Sequence, residues 1–349
     1  MNADNDTSAD RVARALPKVL LHEHLDGGLR VATLLDLLQQ RGIPSPAPDA
    51  ARLAAWFKGN AHAGSLEKYL KGFALTVAAM ASPAALRRVA FEAAEDARED
   101  GAVLAEFRIA PLLFEAHGVS GEATVEALLE GLAQSPLPTG LIVCGMRHEP
   151  SAETQRAARL ALRYRGYKGR GVVGFDLAGA EFGHPPAEHQ AAITLVRDAG
   201  MALTLHAGEA DAADRVLEAA RLGAARIGHG VRLVDALSDP ARQGLVDEAI
   251  ALKLHLEVCP TSNVHTGAAT SIATHPITAL WRAGVSLSYH TDNRLMSCIT
   301  HSGEAAELLR HTPLTRADLL AMARQAAAHS FLPEAARQAA LDKINASAP

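Results

Sequence analysis

The feature that most constrains the fold is the regular alternation of short apolar runs with helical stretches along almost the whole chain. The apolar runs are nearly continuous, which is typical of parallel strands that are buried on both faces of a sheet. The stretches between them are rich in Ala, Leu, Arg and Glu, which are good helix formers. The predicted strands are 17–22, 102–109, 141–147, 171–176, 202–206, 226–228, 251–257 and 285–288.

Eight strands separated by helices predict an α/β fold, a (β/α)8 barrel of the TIM type. An open doubly wound sheet is the alternative. The chain has 349 residues, of which 48% are apolar, and α/β barrels of more than about 250 residues commonly form one domain. We therefore expect a single barrel domain over residues 1–349, with an N-terminal tail at about 1–16. We also expect an inserted helical cap at about 30–100 and two extra helices at about 315–347.

Composition and charge exclude several classes of protein. The formal net charge is −5, so the chain lacks the basic footprint of a nucleic-acid-binding protein. No run of 18 apolar residues predicts a membrane span, and the polar N-terminus does not resemble an export signal. Three widely spaced cysteines suit a reducing compartment. We expect a cytoplasmic protein that acts on a small molecule and binds neither nucleic acid nor membrane.

Unusual polar side chains follow the predicted strands at their carboxyl ends. In a parallel barrel these ends meet at one face, where the active sites of this fold are found. Residues far apart in the sequence are therefore expected to share one pocket. The side chains concerned are His22 and His24 after the first strand, His206 and Glu209 after the fifth, His229 after the sixth and Asp292 after the eighth.

Four of these residues have the character of a metal site. His22 and His24 are two positions apart on extended chain, so both rings point to the same side. With His206 and Asp292 they offer three nitrogens and one oxygen, a set that suits zinc with an activated water molecule. The fourth strand ends in GFDLAGAE and has no lysine to bridge two metals. We therefore predict one Zn²⁺ per chain.

Six motifs at the predicted strand ends give the chain a family resemblance: LLHEHLDGGLR, GFDLAGAE, HAGE, RIGHG, CPTSN and HTDN, in that order. In these motifs the chain resembles the adenosine deaminase family, which comprises mononuclear zinc enzymes of the metal-dependent hydrolase superfamily. The fragment TDNRLMS is similar to the bacterial branch. The likeness extends over residues 17 to 332. It implies hydrolytic deamination of a 6-aminopurine nucleoside, adenosine or deoxyadenosine, to the inosine product and ammonia.

The resemblance also implies roles for single residues. The zinc ligands of the family fall on His22, His24, His206 and Asp292. Glu209 matches the proton donor to purine N1, and this role requires a carboxyl whose pKa is raised by burial. His229 matches the histidine that orients or deprotonates the attacking water.

Further matches concern substrate binding. Gly179 matches a backbone N–H donor to purine N3, although an ordinary turn would also explain a glycine there. Asp26 matches a carboxylate that binds the ribose 5′-hydroxyl, and it could equally form a turn; a carboxylate there favours a hydroxyl over a phosphate. The resemblance implies a hydrophobic lid, although spacing alone favours core packing of the same helical face. The lid residues are Leu66, Tyr69, Leu70 and Phe73.

One departure from the family pattern leaves the substrate open. The best-known members have a second aspartate, which contacts purine N7, where this chain has Asn293. An amide donates a hydrogen bond at any pH, so an adenine ring remains compatible. The alternatives are a deaminase of adenine, of an N6-substituted adenine compound or of a 5′-modified nucleoside. A metal hydrolase that does not deaminate and a non-catalytic purine binder are more distant alternatives.

Other polar residues have no individual assignment. Glu106, Arg108, Arg147 and His148 lie near strand ends, where they are expected to form salt bridges or to support the pocket and the metal ligands. Cys259 is expected to be a buried thiol. Histidines on predicted helices and loops, such as His189 and His301, are expected to be solvated.

Overall fold

The strands form one parallel sheet in which each strand pairs with the next in sequence. The computed structural model describes residues 8–61, 69–169 and 171–347. The strands are β1 Lys18–Leu20, β2 Ala102–Ile109, β3 Thr139–Met146, β4 Val172–Ala178, β5 Ala202–Ala207, β6 Arg226–His229, β7 His255–Val258 and β8 Ser286–Tyr289.

The sheet curls so that the chain beyond β8 meets the chain beyond β1. A parallel bridge joins Glu23 to Asp292. The Asp292 backbone N–H donates to the His22 carbonyl at 3.0 Å, and the His24 N–H donates to the Asp292 carbonyl at 2.8 Å. A doubly wound sheet reverses its strand order and stays open, whereas here the order is consecutive. The predicted (β/α)8 barrel is confirmed.

Helices connect the strands and surround them. The described chain between β1 and β2 is mainly helical from Val31 to Glu99. Part of the segment expected as a tail is also helical, at Ser8–Ala15, and packs against the helix His301–His311. The helices are α1 Ser8–Ala15, α2 Val31–Gln40, α3 Ala50–Ala61, α4 Phe73–Met80, α5 Pro83–Glu99, α6 Gly121–Leu132, α7 Ser151–Arg163, α8 Gln190–Asp198, α9 Asp214–Arg221, α10 Gln243–Ala251, α11 Pro260–Thr266, α12 Ile277–Arg282, α13 Arg294–Ser297, α14 His301–His311, α15 Arg316–His329 and α16 Glu334–Ala346.

Local sequence explains where several of these helices begin. Ser82 precedes α5 and its hydroxyl accepts from the Ala85 N–H, which caps the first turn. A capping box joins Thr315 and Asp318 at the start of α15. None of the helices in the described part of the chain is long and apolar enough to cross a bilayer.

The main difference from the predicted boundaries is at β7. The strand was expected over 251–257, but it begins only at His255 because α10 continues to Ala251. Lys253 then turns the chain with a positive φ of 54°. The apolar residues before β7 therefore complete a helix and a turn, which apolar character alone does not distinguish from a strand.

Buried charges fill part of the barrel interior. Arg108 donates to Asp176 at 2.8 Å and to Glu257 at 2.5 Å, and Arg226 donates to Glu257 at 2.5 Å. Arg226 also pairs with Glu106 at 2.7 Å. All five side chains are fully buried, so each charge depends on a partner of opposite sign. The expected salt bridges of Glu106 and Arg108 are thus present.

Two histidines expected to be solvated are buried instead. His189 donates from Nε2 to the Arg147 carbonyl at 2.8 Å, and His301 donates from Nε2 to the Tyr289 carbonyl at 2.9 Å. They are 2% and 5% exposed. A helix position alone does not predict solvation, because a neutral imidazole with a carbonyl partner can be buried. Cys259 is buried, as expected.

Candidate active site

Four side chains of metal-ligand type meet at the carboxyl end of the barrel. One ligand atom from each of His22, His24, His206 and Asp292 lies within 4.8 Å of the others. The residues come from the ends of β1, β5 and β8. Asp292 has a left-handed backbone, with a φ of 57°, and its carboxylate accepts a hydrogen bond from the Ser262 hydroxyl at 2.6 Å.

The electrostatics of this cluster fit a cation. The His22 Nε2 is buried and has no hydrogen-bond partner among the described residues, and it lies 3.3 Å from Asp292 Oδ1. The Nε2 atoms of His24 and His206 are also 3.3 Å apart. Burial lowers the pKa of His24 well below its usual value, so the ring is neutral, as a ligand must be. Imidazole nitrogens and a carboxylate oxygen suit a divalent metal such as zinc.

Two buried carboxylates orient two histidines of the cluster, His22 and His206, by contacting the ring nitrogen that points away from the cluster. Glu257 Oε2 lies 2.9 Å from His22 Nδ1, and Asp176 Oδ2 lies 2.9 Å from His206 Nδ1. Burial by itself would raise the pKa of Glu257, but Arg108 and Arg226 hold it well below its usual value. An ionised carboxylate accepts the Nδ1–H and leaves the Nε2 lone pair of each ring directed at the cluster.

Neither Asp176 nor Glu257 is among the site residues predicted from sequence. The signal that could have found them is a single carboxylate inside a short and mainly apolar strand, as in VVGFDLA and HLEV. Such a residue is rarely buried unless it is paired.

Glu209 and His229 lie beside the metal-ligand cluster. The rings of His229 and His22 are 4.9 Å apart between centroids, and His229 Nε2 is 3.5 Å from Glu209 Oε2. Burial raises the pKa of Glu209 to about 7, and the charge of Asp292 acts in the same direction. Burial lowers the pKa of His229 to about 4. The pair therefore consists of a carboxyl that can hold a proton near neutral pH and an imidazole that stays neutral.

Helix α11 supports three of the groups in the site. Ser262, which donates to Asp292, belongs to this helix. The Thr266 hydroxyl donates to Glu209 Oε1 at 2.9 Å. Asn263 Nδ2 lies 3.1 Å from His229 Nδ1. The sequence motif CPTSN marks this helix, but the residue types alone do not reveal which group each side chain contacts.

A cavity of about 570 Å³ opens onto the cluster, which is within the usual size range of small-molecule sites. It brings together most of the predicted site residues. Its lining includes the predicted substrate contacts Asp26, Gly179 and Asn293, and the predicted lid residues Tyr69, Leu70 and Phe73. Leu66 lies outside the described residues.

The three predicted substrate contacts each have a distinct environment. Gly179 has a φ of 97°, and a Cβ there would lie 2.9 Å from His148 Nδ1, so only glycine fits. Burial raises the pKa of Asp26 to about 7. The Oδ1 atoms of Asp26 and Asn293 are both buried without a hydrogen-bond partner in the part of the chain described. A ligand in the cavity could satisfy such atoms.

The predicted lid differs from a regular apolar helix. Residues Leu70–Gly72 form a 3-10 turn and α4 begins only at Phe73. Tyr69 is buried, and its hydroxyl shares a hydrogen bond of 2.9 Å with Ser297. A Cβ at Gly72 would lie 2.8 Å from Met296 Sδ, so the turn packs closely against α13.

Comparison with known proteins identifies the family. The family model described as adenosine deaminase matches residues 17–347. The adenosine deaminase of Mycobacterium tuberculosis is 43% identical over 347 residues, which cover 95% of this chain and 94% of that protein. The chain belongs to the adenosine deaminase family. Members of this family are metal-dependent hydrolases that act on the C–N bond of cyclic amidines, so this chain is an enzyme of that class.

Solved structures support the fold. The adenine deaminase of Arthrobacter aurescens superposes with a TM-score of 0.86 at 23% identity, covering 95% of this chain and 98% of that chain. An amidohydrolase from Burkholderia ambifaria with bound Zn superposes with a TM-score of 0.83 at 23% identity, covering 99% and 95%. The predicted family resemblance and its bacterial branch are confirmed by the sequence matches.

Proposed function

We propose that the protein is a zinc-dependent deaminase that converts adenosine or deoxyadenosine to inosine or deoxyinosine with release of ammonia. The observation that carries this proposal is a protonatable carboxyl, Glu209, in the cavity beside the metal-ligand cluster. The name of the M. tuberculosis relative, adenosine deaminase, favours the same substrate. We further propose that residues 1–349 form one barrel domain, with a tail at about 1–16 and a helical insertion at about 30–100.

We assign the metal ligands to His22, His24, His206 and Asp292, which would hold one Zn²⁺ per chain. The orphaned Nε2 of His22 and the carboxylates behind His22 and His206 support this set. When bound, zinc would act as a Lewis acid that makes the attacking water nucleophilic at neutral pH.

Glu209 would act on the purine ring. As the water oxygen bonds to C6, electron density moves to N1, and the Glu209 carboxyl donates its proton there. Its raised pKa of about 7 keeps a large share of the molecules protonated near neutral pH. One of the two protons of the attacking water passes to the amino group, the C6–N bond breaks and ammonia leaves. The other water proton restores the Glu209 carboxyl, and C6 is left as the carbonyl of the inosine product. His229, beside Glu209 and His22, would orient or deprotonate the water.

The remaining site residues would bind the substrate. The Gly179 N–H would donate to N3 and the Asn293 amide to N7, since both ring nitrogens are acceptors. Asp26 would bind the ribose 5′-hydroxyl. Residues Leu66, Tyr69, Leu70 and Phe73 would cover the base and exclude water.

Asn293 also favours a second candidate within the same chemistry. The substrate could be free adenine, an N6-substituted adenine compound or a 5′-modified nucleoside, because an amide recognises N7 in each of them. An adenine deaminase is among the structural relatives. A metal hydrolase that does not deaminate fits less well, because it leaves the raised pKa of Glu209 without a use. In either case we propose a cytoplasmic enzyme that acts on a small purine.

The test is ammonia release from a panel of aminopurines by the zinc-loaded protein. The panel contains adenosine, deoxyadenosine, adenine, N6-methyladenosine and a 5′-substituted adenosine. We expect the two nucleosides to have the highest kcat/KM, and Glu209→Gln to abolish turnover while purine binding persists. Glu149→Gln is the control, because Glu149 is a half-exposed carboxylate after β3. Purine binding without ammonia release by the unaltered protein would refute catalysis.

A further inference from the structure

A line of hydrogen-bonding groups leads from the backbone at the start of α12 to His229. The Ile277 N–H lies 3.0 Å from His275 Nδ1. On the other side of its ring, His275 Nε2 lies 3.3 Å from Asn263 Oδ1. Asn263 Nδ2 in turn lies 3.1 Å from His229 Nδ1. The three side chains are buried, with 3%, 0% and 1% exposure in that order.

The backbone N–H of Ile277 decides which group donates and which accepts in each of these hydrogen bonds. A backbone N–H is only ever a donor, so His275 Nδ1 must be the acceptor. Burial lowers the pKa of His275 to about 3, and a neutral imidazole that accepts at Nδ1 carries its proton at Nε2. His275 therefore donates to the Asn263 carbonyl oxygen.

This hydrogen bond from His275 also fixes the orientation of the Asn263 amide. With its oxygen directed at His275, Asn263 turns its NH₂ group towards His229. The NH₂ group is only a donor, so His229 Nδ1 is an acceptor. With Nδ1 as an acceptor the His229 ring carries a single proton, which lies on Nε2, the atom that is 3.5 Å from Glu209 Oε2.

The opposite order of donors and acceptors would place two donors against each other. If the Asn263 amide were turned over, His229 would donate from Nδ1 and the amide NH₂ would donate to His275 Nε2. His275 would then carry its proton on Nδ1, and two N–H groups would oppose each other at the backbone of Ile277. Such an unpaired donor is strongly disfavoured in a buried site.

We infer that His275 and Asn263 are positioning residues that fix His229 in its Nε2–H tautomer, so that His229 meets the attacking water as a hydrogen-bond donor and not as a base. This inference rests on the proposed function for its catalytic meaning. It chooses between the two roles that the family resemblance left open for His229. The tautomer itself is a property of the protein and can be measured without substrate.

The tautomer can be read from ¹⁵N NMR spectra of the zinc-loaded full chain labelled at histidine. His229→Gln identifies the resonances of His229. We expect a protonated Nε2 and an unprotonated Nδ1 in the unaltered protein. In Asn263→Asp the new carboxylate can only accept, so the proton should move to Nδ1. For a serine protease triad, a wrong imidazole tautomer lowers kcat by about 10⁴-fold, so we expect a kcat loss of at least about 100-fold, with KM much less affected.

Two further variants separate positioning from general support of the fold. His275→Gln keeps an N–H donor towards the Asn263 oxygen and should retain the Nε2–H tautomer and most of kcat. His275→Leu removes this donor and should give a mixture of tautomers with reduced kcat. His301→Leu is the control, because His301 is similarly buried but bonds to the Tyr289 carbonyl, and it should leave the His229 tautomer unchanged.

The proposal is overturned if His229 of the unaltered protein carries its proton on Nδ1. It is equally overturned if Asn263→Asp, folded by circular dichroism, leaves the tautomer unchanged. If no aminopurine is deaminated but the tautomer responds as expected, the proposed function fails while the positioning of His229 stands. The two failures are therefore distinguishable.

Discussion

Replacing Glu181 with glutamine tests how the loop that carries Glu209 is held. Glu181 lies after β4, is 3% exposed, and accepts four successive backbone N–H groups of the loop after β5. Oε1 accepts from Gly208 at 2.5 Å, and Oε2 accepts from Glu209, Ala210 and Asp211 at 2.9, 2.7 and 3.1 Å. One carboxylate thus fixes the backbone of the proposed proton donor. It also ties the loop of Glu209 to the segment that contains Gly179.

The magnitude follows from the number of donors that a glutamine can satisfy. Its single oxygen can replace Oε2, but its NH₂ group would then face the Gly208 N–H, so at least one charge-assisted hydrogen bond is replaced by two opposed donors. A hydrogen bond to a charged group contributes about 1.5–3 kcal/mol, and an unsatisfied buried donor costs about 1–3 kcal/mol. We expect Glu181→Gln to lower the free energy of unfolding by about 2–4 kcal/mol.

The same substitution should change catalysis in two ways. A shift of about 1 Å in the loop can cost about 100-fold in rate, so kcat should fall while the metal content stays unchanged. The charge of Glu181 also contributes to the raised pKa of Glu209. Removing this charge should lower that pKa, so the activity should decline at a lower pH than in the unaltered protein.

The assays are chemical denaturation of the zinc-loaded protein followed by circular dichroism, and kcat measured across pH. Glu188→Gln is the matched control, since Glu188 belongs to the same connection between β4 and β5 but is exposed; it should change neither quantity. A Glu181→Gln protein with unaltered unfolding free energy and an unaltered pH profile would refute this account of the loop.

Four further predictions concern the site. Because burial raises the pKa of Glu209 from 4.5 to about 7, kcat/KM should fall as pH rises through about 7; a flat profile from pH 6 to 8 would contradict its role as proton donor. Asp176→Asn should weaken metal binding by about 10- to 100-fold, measured by competition with a chelator, and undiminished affinity would exclude orientation by Asp176. Phe73→Ala should raise KM with little change in kcat, and an unchanged KM would remove the lid. Asn293→Leu should reduce purine affinity, measured by calorimetry, far more than zinc content, and retained affinity would rule out the contact to N7.

The sequence predicts the barrel well because parallel strands buried on both faces have a simple signature. The strand ends then bring together His22, His206 and Asp292, even though 270 positions separate the first from the last. No contact needs to be predicted for this result, since the topology alone places all the carboxyl ends at one face. Boundaries are less predictable, as β7 illustrates, because an apolar run before a strand can also complete a helix.

The supporting groups could not be predicted in the same way. Glu181, Glu257 and His275 act through side chains that reach other elements, and neither strand order nor periodicity specifies these contacts. Their common signal is a titratable residue at a position that the fold makes buried. For Glu257 the mainly apolar strand around it already indicates burial, whereas for Glu181 and His275 the signal becomes visible only when burial is known. His275 illustrates the point, since its role depends on the amide of Asn263 twelve positions away and on the backbone of Ile277.

The supporting groups also explain why chemically identical histidines in one site can do different work. On the side of His22 and His206 away from the cluster lie the carboxylates of Glu257 and Asp176, which accept the Nδ1–H of each ring. The Nε2 of each ring therefore presents a lone pair to the proposed metal site. Behind His229 stands the amide NH₂ of Asn263, which donates and therefore leaves the ring proton on Nε2. The group that contacts Nδ1 of each ring thus decides whether Nε2 presents a lone pair or an N–H to the site. Arg108 holds the two carboxylates, and the Ile277 N–H holds the Asn263 amide through His275. These directions are therefore set before any substrate arrives, as electrostatic preorganisation requires.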